Sequence, residues 1–109
     1  MLADRGRWRG TATVRGRLYR IDNYPGFVPD EADGRVKGDL FELPDPDAVL
    51  ALLDEYEECS ARFPEPREYC RIVVRVETEG VPADAWAYAY AYVWPVRDDQ
   101  RIESGDFLA

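Results

Sequence analysis

Between Ala85 and Trp94 the chain alternates without interruption between small and aromatic side chains. Trp86, Tyr88, Tyr90, Tyr92 and Trp94 fall on one side, and Ala85, Ala87, Ala89, Ala91 and Val93 on the other. Successive side chains of an extended strand point to opposite faces, while a helix would scatter this pattern around its surface, so the segment is predicted as a strand. The alanine row lets backbone or a helix approach closely, and the aromatic row fills or lines a cavity, which suits a curved sheet. A plain open sheet with its aromatic face under a helix is the alternative. Pro95 ends the strand.

The same period of two recurs elsewhere. In residues 11–21 it places Ala12, Val14, Gly16 and Leu18 on one face, and in Tyr69–Glu79 it does so for Cys70, Ile72, Val74 and Val76. A further strand is predicted from Arg35 to Leu43. Asp22–Gly26 and Pro29–Gly34 are rich in turn formers and are predicted as a loop, and another turn is expected at Glu79–Pro82. Residues 59–67, with two prolines, read as irregular.

One helix interrupts the strands. Asp45 is placed as its N-cap, Pro46 suits the first helical position, and Asp47 favours the positive end of the helix dipole. Val49, Leu52, Leu53 and Tyr56 recur at i, i+3, i+4 and i+7, which predicts one apolar stripe facing a core. The sum is an α+β fold with a mostly antiparallel sheet. Residues 1–109, with no internal repeat or dividing linker, fit one domain.

Composition narrows the chemistry. There are 22 acidic and 14 basic residues, a formal net charge of −8, so a nucleic-acid backbone or an anionic membrane surface would be repelled. No apolar run is long enough to span a bilayer, and residues 1–10 lack the apolar stretch of a signal peptide, so a cytoplasmic protein is expected. There is no histidine. That removes Ser-His-Asp and Cys-His nucleophilic systems and most zinc sites, and leaves carboxylate, Tyr, Lys or Arg-assisted water for any proton transfer. No metal site is expected. Cys59 and Cys70 would pair only with Cα atoms within about 7 Å, and free thiols are the expectation.

Six short motifs then stand in a recognisable order: Arg15-Gly-Arg-Leu-Tyr19, Tyr24-Pro25, Val36-Lys-Gly-Asp-Leu-Phe-Glu-Leu43, Leu53-Asp-Glu-Tyr-Glu57, Tyr69-Cys-Arg71 and Ala85-Trp-Ala-Tyr88. With Ile102-Glu-Ser-Gly-Asp106 at the close, they resemble the gamma-glutamylcyclotransferase-like family over roughly residues 10–106. The resemblance implies a small mixed β-barrel, mostly antiparallel, with the main helix outside and a cavity at one end. It also implies cleavage of a small gamma-glutamyl amine or amide by cyclisation to 5-oxoproline, without a cofactor. The position matching the family's catalytic glutamate is Glu57.

A carboxylate there fits that chemistry. The substrate's α-amine must lose a proton before it attacks its own γ-carbonyl, and a carboxylate can take that proton and pass it to the leaving amine. A free Glu has a pKa of about 4.3, so burial would make it a better base. Tyr24, beside Pro25 and Gly26, is expected to anchor a turn and lid and to meet substrate. The aromatic stripe is expected as core packing, with Tyr88 as a second substrate contact at the cavity mouth. Tyr69 and Arg71 are expected to be structural, with Arg71 as a partner for a carboxylate.

Two departures from the family pattern carry expectations. The chain opens Met1-Leu-Ala-Asp-Arg-Gly-Arg-Trp8 in place of the family's Tyr-Gly-Thr-Leu strand and loop, so it is expected to lack the first strand and to expose a sheet edge. A shifted start, a truncation and an inactive natural variant all fit. Glu58 replaces the glycine that follows the catalytic glutamate, and its charge would raise the Glu57 pKa or disturb the turn. Asp54, Glu55, Glu57 and Glu58 cluster at the negative end of the helix, which calls for a nearby cation. The bland alternative for Glu57 is a solvated surface acid. The alternative for the whole chain is a non-catalytic small-molecule-binding or assembly domain, and a third reading is a homodimer formed through the exposed edge strand.

Overall fold

The computed structural model describes residues 6–58, 60, 62–78 and 81–108. It contains five strands and one α-helix in the order β1 (Arg7–Arg20), β2 (Pro25–Pro29), β3 (Arg35–Glu42), α1 (Pro46–Tyr56), β4 (Tyr69–Thr78) and β5 (Val81–Tyr92). The strands form one sheet in the order β2-β5-β4-β1-β3, and β1 additionally pairs with β2. All ladders are antiparallel except β2–β5, which meets in parallel at Phe27 and Ala91. The expected α+β fold with one helix and a mixed, mostly antiparallel sheet is present.

β1 organises the sheet because it is long enough to serve three neighbours. Residues 7–15 pair with β3, Ala12 and Thr13 pair with β4, and residues 16–20 pair with β2. Its predicted inner face holds, with Ala12, Gly16 and Leu18 buried. Tyr19 lies on the opposite face and is fully buried too. The C-terminal tail covers it there, through a bridge from Tyr19 to Arg101 and a hydrogen bond from Ile102 N to Leu18 O.

β2 corrects the prediction of an uninterrupted loop over 22–34. Prolines at both ends and Gly26 conceal it in the sequence, since turn formers outweigh strand periodicity over five residues. Tertiary pairing supplies what local propensity lacks: one side of β2 bonds to β1 and the other meets β5. Gly26 is tight, because an added Cβ would lie 2.9 Å from both Ile21 and Tyr92.

The stripe predicted for α1 is also corrected. Val49 and Leu50 are buried, whereas Leu52 and Tyr56 are exposed. Leu50 and Leu53 line a cavity with β3 and β5, and Leu52 lines none of the cavities described below. Pro46 stands at the helix start as expected, but Asp45 makes no side-chain cap hydrogen bond.

β5 begins earlier and ends earlier than its period suggests. After Tyr92 the chain leaves the ladder, as Val93 N bonds to Glu68 O and Trp94 Nε1 donates to Pro66 O. The aromatic stripe is fully core only at Tyr92. Tyr92 is buried, while Trp86 is 69% exposed, Tyr88 57% and Trp94 44%, which overturns the core reading for those three. On the alanine face Ala91 is buried, opposite Cys70 of β4. The turn expected at 79–82 begins outside the described residues. Cys70 is a free, exposed thiol, and the pairing considered with Cys59 involves a residue outside the described ones.

Candidate functional site

The end of α1 delivers Glu57. The helix closes with Glu57 N donating to Leu53 O at 2.8 Å, and the next residue, Glu58, turns the chain with φ +56°. That left-handed conformation is the one in which glycine is at ease, which explains why a glycine suits this position and why Glu58 is strained there. The turn survives the substitution.

Glu57 is half-buried, and its carboxyl is pushed above the usual range by burial first and by the charge of Glu68 second. Glu68, not the adjacent Glu58, is the like-charged neighbour that matters, which corrects the expectation placed on Glu58. Two other acids of the cluster, Asp54 and Glu55, are neutralised locally. Asp54 Oδ2 lies 3.3 Å from Arg71 and Asp54 Oδ1 accepts from Tyr90 Oη at 2.6 Å. Glu55 pairs with Arg62 and accepts from Ser60, and both partners hold its carboxyl below the usual range. The expected cations are therefore Arg71 and Arg62, and Arg71 serves a carboxylate as foreseen.

Glu57 and Tyr90 form a wall shared by two cavities. One, of about 390 Å³, runs between Leu40 and Phe41 of β3, Leu50 and Leu53 of α1, and Trp86 and Tyr88 of β5. The other, of about 890 Å³, is an open groove lined by Tyr24, Phe27, Tyr56, Glu57, Glu58, Glu68 and Tyr69 among others, with no Lys or Arg in its wall among the described residues. The residues singled out in the sequence are thus distributed around Glu57, Tyr88 in the first cavity and Tyr24 in the second. A separate cavity of about 430 Å³, between Thr13–Arg15 and Ile72–Arg75, contains neither Glu57 nor a tyrosine.

The groove wall is a set of coupled phenols. Tyr24 Oη donates to Glu68 Oε2 at 2.7 Å, and Tyr69 Oη donates to the Pro25 carbonyl at 2.7 Å. Tyr69 meets Tyr92 edge-on at 5.4 Å between ring centres and Tyr24 at 6.5 Å. The hydrogen bond to Glu68, ahead of burial and the nearby negative charge, raises the Tyr24 phenol to about 12. Burial, with Glu68 and Glu57, also pushes Tyr69 up. Tyr88 is different: the Arg71 guanidinium lies over its ring at 5.1 Å. Sequence reasoning missed Glu68, which stands next to the Tyr69-Cys-Arg71 motif but bears no periodic or motif signal of its own. Among the described residues no group of three or more Cys, Asp or Glu is arranged to hold a metal ion.

One helix and a five-stranded, mixed sheet define a small α+β protein. The chain belongs to the family described as gamma-glutamyl cyclotransferase, AIG2-like, whose model it matches over residues 1–109. Among solved structures it is similar to an uncharacterized protein from Pyrococcus horikoshii, at 21% identity and a TM-score of 0.66. That match covers 94% of this chain and 71% of the other, and at such identity the likeness concerns the fold. No curated protein matches the chain. No helix among the described residues is long and apolar enough to cross a membrane.

Proposed function

We propose that this chain is one gamma-glutamylcyclotransferase-type domain that cleaves a small gamma-glutamyl amine or amide by cyclisation, with Glu57 as general acid and base. The observation that carries the reading is the setting of Glu57, half-buried in the wall of two cavities with its proton affinity raised by burial and by Glu68. The circuit of pairings through β1, β2, β5, β4 and back to β1 supports reading the sheet as the family's small barrel.

The chemistry follows from that setting. A substrate α-ammonium is drawn to a groove whose wall, among the described residues, bears Glu57, Glu58 and Glu68 and no basic side chain. Glu57 takes one ammonium proton, and the freed amine attacks the γ-carbonyl carbon to close a five-membered ring. The tetrahedral species then collapses as the C–N bond to the leaving amine breaks, Glu57 returns the proton to that nitrogen, and the surplus proton of the ring nitrogen follows it, so that the amine departs as an ammonium. The products are 5-oxoproline and an amine. The attack is intramolecular, so holding the folded substrate conformer supplies a large share of the acceleration. Tyr24 and Tyr88 contact substrate from the two sides of Glu57. A protein of this kind works in the cytoplasm without a cofactor.

A second reading, a non-catalytic binding or assembly domain, is favoured by one observation: Trp86 and Tyr88 offer exposed aromatic surface on β5. In that case the β5 and β3 edges would serve pairing with a second copy. Release of 5-oxoproline from a panel of gamma-glutamyl amines, compared with the Glu57→Gln variant, separates the two. Turnover abolished by the substitution supports the enzyme; no turnover from a folded chain supports the binding domain.

A further inference from the structure

The groove beside Glu57 holds a second carboxylate with no part in the proton transfers described above. Glu68 sits one residue before β4, yet its carboxylate accepts a hydrogen bond from Tyr24, 44 residues away just before β2, and its backbone carbonyl accepts one from Val93 N just past β5. One residue thus ties three segments together at the groove rim. The neighbouring bond from Tyr69 to the Pro25 carbonyl holds the same two segments in register. The basic residue next to Glu68 in the chain, Arg67, is engaged elsewhere, with Phe63 O and Glu65.

Building on the cyclotransferase reading, we propose that Glu68 is a positioning residue for that reaction, fixing Tyr24 at the rim of the groove and supplying the negative charge beside Glu57. Its geometric role is carried by the phenol hydrogen bond from Tyr24. Its electrostatic role follows from two carboxylates lining one groove, where the Glu68 charge disfavours ionisation of Glu57. The remaining titratable groups around Glu57 are Asp39 from β3, Tyr56 and Glu58 at the helix end, Tyr69 from β4, and Tyr88 and Tyr90 from β5. Of all the groups around it, Glu68 is the one whose charge raises Glu57.

The test is a carboxyl-carbon NMR titration of the full chain as wild type, Glu68→Gln and Glu68→Asp, paired with kcat/KM against pH. In Glu68→Gln the Glu57 resonance is expected to titrate at lower pH, the acid limb of kcat/KM to follow it, and kcat/KM to fall roughly 10-fold to 100-fold as Tyr24 is released. Glu68→Asp, which keeps the charge, is expected to restore the titration. Tyr24→Phe, which removes the anchor alone, is expected to lower kcat/KM without moving the acid limb, and it keeps the test open if Glu68→Gln fails to fold. A folded Glu68→Gln chain with an unmoved Glu57 titration, or a Tyr24→Phe chain with unchanged kcat/KM, would overturn the proposal. An inactive wild type that retains the Glu57–Glu68 coupling would instead count against the cyclotransferase reading itself.

Discussion

Tyr90 of β5 donates a hydrogen bond to Asp54 of α1 at 2.6 Å, and Arg71 of β4 meets the other oxygen of the same carboxylate at 3.3 Å. Asp54 is three residues before Glu57, so this pair of contacts fastens the end of the helix to the sheet at the point where the candidate base emerges. Replacing Asp54 with Ala is expected to destabilise the fold by about 1–3 kcal/mol, since it strips partners from a part-buried guanidinium and a phenol. Thermal unfolding reads the loss. Activity should fall with it, because Glu57 loses its anchor.

Glu57 itself is expected to be costly for stability. Its pKa in the fold is raised, so folding favours the protonated carboxyl: its stabilising contribution is complete below the unfolded value and is lost as pH climbs through the folded one. At neutral pH the native state therefore carries an unfavourable charge. Glu57→Gln should unfold at a slightly higher temperature than the wild type at pH 7, with that advantage vanishing below pH 4, while 5-oxoproline release drops at least about 10²-fold. A variant that is both less stable and equally active would contradict both statements.

Tyr24 provides a second pH signature at the other end of the scale. Its phenol is raised to about 12 by Glu68, so the un-ionised form is favoured in the fold. The matching stabilisation is present below the ordinary tyrosine value of about 10 and is lost as pH rises through about 12. Ultraviolet titration of the wild type against Tyr24→Phe should reveal one late phenol missing in the variant. A Tyr24 that ionises with the exposed tyrosines would show that the Glu68 bond does not persist in solution.

Glu58 occupies a left-handed backbone position at the helix exit. Glu58→Gly should stabilise the chain by about 1 kcal/mol by relieving that conformation. Denaturant unfolding reads the gain directly. The Glu57 titration should stay where it is, because Glu68 supplies the neighbouring charge.

Tyr88 is an exposed ring under the Arg71 guanidinium, in the cavity on the far side of Glu57 from Tyr24. Tyr88→Ala should leave unfolding nearly unchanged, since little of the ring is buried, and should raise KM several-fold with kcat held, as expected for loss of uniform binding. Loss of kcat alone would place the ring at the reacting centre instead.

Much of this protein was already legible in the residue order. The uninterrupted alternation from Ala85 to Trp94 can form only a strand, because no other backbone places every second side chain on one face. Pro46 and the turn formers around Pro44 set the start of the helix, and the order of short motifs pointed to Glu57 and to the family. These are local or linear properties, written in spacing.

Tertiary structure decided the rest. β2 exists because β1 and β5 offer hydrogen bonds on both its sides, a partnership that five residues with two prolines do not announce. The helix turned Leu50 inward instead of Leu52, because Asp54 is fastened to Tyr90 and Arg71 and so fixes the rotation of the helix. Glu68 reached Glu57's groove only through folding, since a carboxylate's influence depends on distance through space and on the water removed around it, and neither is a function of position in the chain.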